Sequence, residues 1–595
     1  MCGIFGMVGK NNVVPMVFNG ISNLEYRGYD SAGIAYIKNN KISCVKQTGE
    51  ISNLQKSINF NKEISNICIA HTRWATHGKP TINNAHPFVT KNGKFCLVHN
   101  GIIENYLELK KGLSGFTSET DSEVILKLIE KHYNGDMLKT LNKVCNMLKG
   151  SFALAIICSD YKNQIFVAKR VSPCVVGICA EGAKVCSDIN GIGKVNYAYV
   201  LNNDNFAVVS LNEIKIYNNN LEQINLKKVK VSVQEKNGLG KFKHFMQKEI
   251  YEIPNSITNT LNYYSSFNLI SKSLPVSLIK KTKNVIIVGC GTAYHAGLMG
   301  RKILEENSNI NIKNEIASEF IYSNFTPQKN TLMFFVSQSG ETADTIKALK
   351  IAKQKGLKTV AITNVKNSSI CFEADYCLYT FAGNEVAVAS TKAYVSQLVM
   401  FYLLSAYIKQ INENLNCDMV VEIANNIRSL ANNINVNILN KTASLIAQDI
   451  YKSQSLYMIG RNFDYVTALE ASLKLKEISY IHSEAYPSGE LKHGTISLID
   501  SNTFVFAFLT DKKLIEKSVS NVNEIISRGA KVILVSQYNL NLSGAYKNIK
   551  LKQFADYFMP LNVIIIMQLI AYHVSLLLGL NPDKPRALAK SVTVE

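Results

Sequence analysis

Met1 is followed at once by Cys2, and a side chain this small at the second position favours removal of the initiator. One residue then carries both a thiol, with an ordinary pKa near ~8.5, and a free α-amine titrating near ~8. The amine can take the thiol proton at neutral pH, so nucleophile and base reside in a single residue, an arrangement suited to attack on an amide. A second cluster is Ser337, Gln338, Ser339 and Thr342 in FFVSQSGETADT, where hydroxyl and amide donors crowd the end of an apolar run. VGCGTAYHAG, which contains Thr292, has a related form: a strand, a glycine turn and a helix start that offers backbone N–H groups to an anion. No lysine follows at P-loop spacing, which favours a sugar phosphate over a nucleoside triphosphate. Lys474 stands three residues before Glu477, so the two share a helix face.

The elements that must hold these residues fall into two textures. Up to about residue 235 the chain is built of short alternating runs such as GIFGMVG, SAGIAYI, NICIAHTRW, KFCLVHNG and SFALAIIC, which predict strands of layered sheets. TDSEVILKLIEKHY predicts an amphipathic helix entered through a polar cap. KFKHFMQKEIYEIPNSI predicts a helical connector interrupted at Pro254. Beyond it, buried apolar strands alternate with helices, the pattern of a parallel α/β sheet. This region repeats itself. NVIIVG and SLYMIG are offset by 171 residues, as are the run from Leu332 in TLMFFVS and TFVFAFL from Thr503, and GLKTVAIT and GAKVILVS are offset by 173. Two copies of one doubly wound domain follow, with ligands expected at the carboxyl ends of their strands.

At 595 residues the chain is long enough for about four domains of ~150 residues, with cores that need no disulfide or metal staple. An apolar content of 47% with 18% charged residues excludes a disordered chain. Its 13 cysteines include no CxxC pair, which argues for a reducing compartment and against a zinc ribbon. The net charge of +20 comes from lysines spread along the chain, without a basic run or a nucleic-acid-binding signature. The start lacks the apolar core of a signal peptide. Leu561–Leu580 has the length of a membrane span, but Asn562, Gln568, His573 and Ser575 interrupt it, so it reads as a buried helix. These features predict a cytoplasmic protein.

Five ordered motifs carry a family resemblance in the first half: MCGIFGMVG, LEYRGYDSAGIA, HTRWATHG, HNGIIENY and SETDSEVI. Together they resemble the glutamine amidotransferases whose nucleophile is an N-terminal cysteine, which implies an αββα N-terminal-nucleophile (Ntn) hydrolase domain. The resemblance makes Cys2 the nucleophile, and Asn100 with the backbone N–H of Gly101 the oxyanion hole. Arg73 and Asp121 correspond to the clamp on the glutamine α-carboxylate and α-amine, with Trp74, Thr76 and His77 lining the same site. Trp74, the single tryptophan, corresponds to a gate for ammonia. Arg27 would support the pocket near Cys2. His86 and His99 read as structural.

The second half resembles sugar isomerase (SIS) domains through its CGT and SQSGET turns, VASTKAY, ALEASLKLKEISYIHSEAYPSGELKHG and the terminal PRALAKSVTVE. The combination is similar to the amidotransferases that pair a glutaminase with two such domains. It implies a glutaminase over 2–235, a linker over 236–256, SIS domains over 257–420 and 421–583, and a catalytic tail over 584–595. In that family Lys590 forms a Schiff base with the ketose, Glu477 shuttles a proton between C1 and C2, Lys474 stabilises enolate charge, and His493 opens the sugar ring from a neighbouring subunit. Thr292, Ser337, Gln338, Ser339, Thr342 and Val388 would bind the sugar phosphate.

The implied partners are glutamine and fructose 6-phosphate, converted to glutamate and glucosamine 6-phosphate, with a second copy of the chain in a homodimer. No metal, organic cofactor, nucleic acid or membrane is implied. Departures from the family pattern are Ala293, where a serine is usual, Ile321 and Ser323, where arginines are common, and Asn384 and Ala387 before VAST.

Overall fold

The computed structural model describes residues 2–231 and 238–593. Met1, residues 236 and 237 of the expected linker, and the last two residues of the expected tail lie outside them. The chain divides into two compact units, residues 1–236 with 591–595, and residues 237–590.

The first unit holds two seven-stranded sheets. One runs, in spatial order, Tyr197–Val200, Val175–Cys179, Gly182–Cys186, Gly3–Gly9, Ile67–Arg73, Ser31–Lys38 and Lys41–Thr48. The other runs Gln223–Ile224, Ile214–Tyr217, Asn205–Ser210, Gln164–Arg170, Gly150–Cys158, Phe95–Ile103 and Phe88–Val89. Period-two alternation assigns the faces. Ile4, Val8, Ile67 and Ile69 point inward onto Cys96, Val98, Ala153 and Ala155 of the other sheet. Phe5, Met7, Cys68 and Ala70 point outward, under the helix Val14–Ser22. Leu97, Leu154 and Ile156 face the helices Ser122–His132 and Met137–Met147 on the opposite side. This is the four-layer αββα arrangement. The helix Ser122–His132 is entered differently from expectation, because the Asp121 side chain does not cap it. Its Oδ2 accepts from the Ile103 N–H at 2.8 Å, while Glu123 turns back to take the N–H groups of Thr117 and Ser118.

The second unit contains two parallel five-stranded sheets of identical topology. Their spatial orders are Asn311–Ile316, Asn284–Gly289, Thr331–Ser337, Lys358–Thr363, Tyr376–Tyr379 and His482–Pro487, Ser455–Gly460, Phe504–Phe508, Lys531–Ser536, Lys547–Lys550. The repeat read from three strands therefore extends to all five. Both faces are buried, which is why these strands read as continuous apolar runs: Val285 and Ile287 face one core, Ile286 and Val288 another. The turn after the strands Asn284–Gly289 and Ser455–Gly460 is also repeated. Gly291 has φ 54°, ψ −127°, and Asn462, 171 residues on, has φ 51°, ψ −116°. The second copy thus holds a non-glycine residue in a left-handed conformation that glycine adopts without strain.

The connector is two helices, Phe245–Tyr251 and Ile253–Tyr264, with Pro254 in the first turn of the second, where its missing N–H costs nothing. Met559–Leu577 is long and apolar enough to cross a membrane, yet 83% of its apolar window is buried within the protein. Asn562, Gln568 and Ser575 on it are buried, and His573 meets the Asn440 carboxamide at 2.8 Å.

Candidate active site

Cys2 precedes the central strand Gly3–Gly9 of the first sheet and is partly exposed. The Trp74 N–H donates to its Sγ at 3.3 Å, and the thiol lies 3.6 Å from the Trp74 carbonyl. The Cys2 carbonyl accepts from Arg27 Nε at 3.2 Å and from Asn100 Nδ2 at 2.8 Å. Arg27 is buried against Asp188 at 2.9 Å, and Tyr26 donates to the same carboxylate oxygen at 2.5 Å. Arg27 therefore braces the backbone of Cys2, as expected of a supporting residue. Asn100 is held from behind: its Oδ1 lies 3.1 Å from His71 Nε2, which also contacts the His99 carbonyl at 3.0 Å. Burial pushes His71 down to about 3, so the ring is neutral, and a donating Nε2–H fixes the Asn100 amide with its NH₂ toward Cys2. His71 stacks on His86 at 4.1 Å, and His99 reaches Ser122 Oγ at 2.8 Å. The sequence reading assigned no role to His71.

Gly101 follows with φ 141°, and a Cβ there would sit 2.0 Å from the Ser151 carbonyl oxygen. Only glycine fits, which keeps the backbone next to Asn100 open. Arg73 ends the strand Ile67–Arg73, and its guanidinium holds the carbonyls of His77, Gly78 and Lys79. Burial draws Arg73 down from its ordinary value, opposed by the Cys2, Asp30 and Asp121 charges around it. Thr76 is exposed on the loop that Arg73 supports, and the His77 ring meets Tyr106 edge-on at 5.5 Å. The Trp74 ring meets Tyr29 edge-on at 5.7 Å. Asp30, which sequence reasoning passed over, anchors the loop by accepting from the Ala75 N–H at 2.8 Å.

In the second unit the SQSGET turn leaves the strand Thr331–Ser337 and enters the helix Ala343–Gln354. Ser337 Oγ and Thr342 Oγ1 lie 3.0 Å apart, the Gly340 N–H donates to Ser337 Oγ, and the Glu341 N–H donates to Ser339 Oγ at 3.2 Å. The Gln338 carbonyl accepts from Asn364 N–H at 3.1 Å. Gly340 has φ 67°, and a Cβ there would meet Ser368 Oγ at 2.1 Å, so the turn is closed on its far side by Ser368. The result is a preformed polar turn at a helix N-terminus, which suits a phosphate.

Thr292 is placed elsewhere. Its Oγ1 donates to Glu470 Oε1 at 3.0 Å and accepts from Lys474 Nζ at 2.9 Å. Lys474 in turn contacts Glu477 Oε2 at 2.5 Å on the helix Phe463–Ser479. Val388 spends its backbone N–H on the Asp583 carbonyl at 3.1 Å, and the Asp583 carboxylate caps the helix Phe245–Tyr251 at 2.7 and 2.8 Å. The VAST segment and the chain leading to Lys590 are thereby tied together.

The side chain of Lys590 is buried, its Nζ 2.5 Å from Glu385 Oε2. Glu385 also accepts from the N–H groups of Thr391 and Ala393 and from Ser390 Oγ. Burial pushes Glu385 up, but the Lys590 charge and these donors outweigh it and hold the carboxyl below its usual range. Beside it Glu249 is raised to about 8 by burial and by the Glu385 charge. His493 is exposed on the turn after Glu490–Lys492 and is not brought to Glu477 or Lys590.

An N-terminal cysteine leading into the central strand of an αββα unit, joined in the chain to two parallel sheets with a phosphate-type turn and a buried amine, matches a glutamine amidotransferase carrying sugar isomerase domains. Comparison with known families agrees: a glutamine amidotransferase domain matches residues 71–173, and the SIS domain matches residues 278–407 and 449–575. The chain is 41% identical, over the full length of both, to the glutamine–fructose-6-phosphate aminotransferase [isomerizing] of Clostridium tetani, and 40% identical over the full length of both to that of Aquifex aeolicus. The solved C-terminal domain of the Francisella tularensis glucosamine-fructose-6-phosphate aminotransferase covers 58% of this chain and all of its own, with 35% identity and a TM-score of 0.56. The chain belongs to the glutamine–fructose-6-phosphate aminotransferase (isomerizing) family.

Proposed function

We propose that this chain moves the amide nitrogen of glutamine to fructose 6-phosphate and isomerises the product to glucosamine 6-phosphate. Residues 2–235 act as an Ntn hydrolase. Cys2 Sγ attacks the side-chain amide of glutamine, its α-amine takes and returns the proton, ammonia leaves, and water hydrolyses the thioester to glutamate. Asn100 Nδ2 and the Gly101 N–H carry the oxyanion, and Arg73 and Asp121 hold the free amino acid by its carboxylate and amine. Trp74, Thr76 and His77 close the glutamine site.

In the sugar half, Ser337, Gln338, Ser339 and Thr342 bind the phosphate, and Thr292 and Val388 shape the site around it. His493, exposed on its turn, opens the ring from the partner in a homodimer. Lys590 adds to C2 and expels water as an imine, and ammonia then displaces the lysine. Glu477 takes the C1 proton, the C–H pair forms the C1–C2 double bond, and the C2–nitrogen π pair moves onto nitrogen. Return of the proton to C2 and transfer of the O1 proton to the nitrogen leave the amino aldose. The enzyme works in the cytoplasm, away from any membrane.

The observation that carries this reading is the Lys590–Glu385 pair, because an isomerase needs a base but has no use for a buried primary amine at the substrate. Borohydride added in the presence of fructose 6-phosphate is expected to trap a reduced hexitol phosphate adduct on Lys590, located by peptide mass spectrometry. No adduct, or one that persists in Lys590→Arg, contradicts the assignment.

A further inference from the structure

The SQSGET turn is backed by a segment that carries two of the chain's cysteines. Ser368 has no exposed surface, and its Oγ stands where a Cβ on Gly340 would meet it at 2.1 Å. The Ile370 N–H donates to the Gly340 carbonyl at 3.0 Å. The Ser369 N–H and hydroxyl donate to the Glu341 carboxylate at 2.8 and 2.6 Å. The far wall of the turn is therefore the start of the short helix Ser369–Glu373. Cys371 lies on that helix and Cys377 on the strand Tyr376–Tyr379, both free and both partly exposed. Cys371 Sγ lies 3.3 Å from Ser368 Oγ, and Cys377 Sγ lies 3.6 Å from the Cys371 carbonyl oxygen. The Cys377 thiol also donates to the Cys371 sulfur. Against burial, that bond together with the Ser368 hydroxyl and the Tyr379 phenol holds Cys371 below its ordinary value. The same contact, with burial, pushes Cys377 up. One sulfur thus has thiolate character and its neighbour keeps its proton. Cys68, Cys96 and Cys145, by contrast, are buried and pushed up, which leaves them inert.

We propose that Cys371 and Cys377 are a peroxide-responsive dithiol whose closure to a disulfide loosens the adjacent turn and weakens binding of the sugar phosphate. This rests on the reading of SQSGET as the phosphate turn. The oxidant is a hydroperoxide. Cys371 sulfur attacks one peroxide oxygen, the O–O bond breaks, and hydroxide leaves and takes a proton from solvent to become water. Cys371 is then a sulfenic acid. Cys377 sulfur attacks the Cys371 sulfur, the S–OH bond breaks, and the hydroxyl leaves with the Cys377 proton as a second water. Two thiols and one peroxide give one disulfide and two waters, each sulfur losing one electron. Closing the bond draws the helix Ser369–Glu373 toward the strand Tyr376–Tyr379 and takes the acceptor sulfur from Ser368. Ser368, Ser369 and Ile370 are the groups that hold Gly340 and Glu341 from behind, so the turn loses its support. A dithiol reductant reverses the step by exchange and restores both thiols.

The test uses the full chain carrying Cys2→Ala, which keeps oxidation of the nucleophile out of the readout, and follows binding of fructose 6-phosphate by calorimetry. The chain is treated with hydrogen peroxide, its remaining thiols are alkylated, and it is digested with trypsin without reduction. Both cysteines fall in the peptide 367–392, which is expected two hydrogens lighter and unalkylated. The dissociation constant for fructose 6-phosphate is expected to rise about tenfold, the scale of one weakened hydrogen bond to a charged group, and dithiothreitol should restore it. Cys371→Ala in the same background should bind the sugar as the parent does, before and after peroxide. A peptide with both cysteines alkylated after peroxide overturns the proposal, and so does an equal loss of affinity in Cys371→Ala. Thr342→Val, run in parallel, separates this proposal from the reading of the turn. Weaker binding in Thr342→Val with none in the disulfide form removes the switch and leaves the turn as the phosphate site. Affinity unchanged in both removes the phosphate reading, and the proposal with it.

Discussion

Cys2→Ala is expected to lower glutamine-dependent formation of amino sugar by on the order of 10⁵-fold or more, the scale on which removing a nucleophile acts when its partners work as a unit. The cause is specific. The Trp74 N–H and carbonyl hold Sγ, while Arg27 and Asn100 hold the carbonyl of the same residue. Alanine leaves the two carbonyl contacts intact and removes only the attacking atom. High ammonium chloride in place of glutamine bypasses the defect, so amino sugar should again appear, measured by mass spectrometry of the product. Glutamine-dependent synthesis at the normal rate in Cys2→Ala would show that the nucleophile lies elsewhere.

The second large effect is expected at the other end of the reaction. Glu477→Gln should slow exchange of the fructose 6-phosphate C1 proton with solvent by on the order of 10³-fold, within the range a positioned general base contributes. The amide cannot accept the proton, yet it keeps the size of the side chain against Lys474, 2.5 Å away in the parent chain. Because the change is confined to the helix Phe463–Ser479, hydrolysis of glutamine at Cys2 should persist, and glutamate release without amino sugar is the signature to look for. Exchange at the parent rate would remove Glu477 from the mechanism.

Much of this architecture is legible in the sequence because it rests on local patterns. Alternation in GIFGMVG and KFCLVHNG places Ile4 and Val98 on inner faces, and the buried runs NVIIVG and SLYMIG set the first interior strands of the two parallel sheets. The offset of 171 extends to the strands Asn311–Ile316 and His482–Pro487, which are too polar to stand out as strands by themselves. Long-range pairing is what local reading misses. Glu385 meets Lys590 across 205 residues, and His295 meets Glu470 across 175. The first pair joins two segments outside the helices and the second joins helices of the two repeats, and no spacing rule encodes either meeting. Asp121 illustrates the converse. Its place before a helix predicts a cap, but a closer donor, the Ile103 N–H of a neighbouring strand, takes the carboxylate instead. His71 was hidden for a similar reason, since its partner Asn100 lies on another sheet and is met only after the sandwich closes.

The central claim is that one chain releases nitrogen from glutamine and installs it on the sugar. The direct measurement supplies the purified full-length chain, with Met1 removed, with glutamine carrying ¹⁵N in its amide and with fructose 6-phosphate, and weighs the products. The account predicts glucosamine 6-phosphate bearing the label, in step with glutamate. Glutamate without labelled amino sugar, or amino sugar that stays unlabelled while glutamine is consumed, would contradict it.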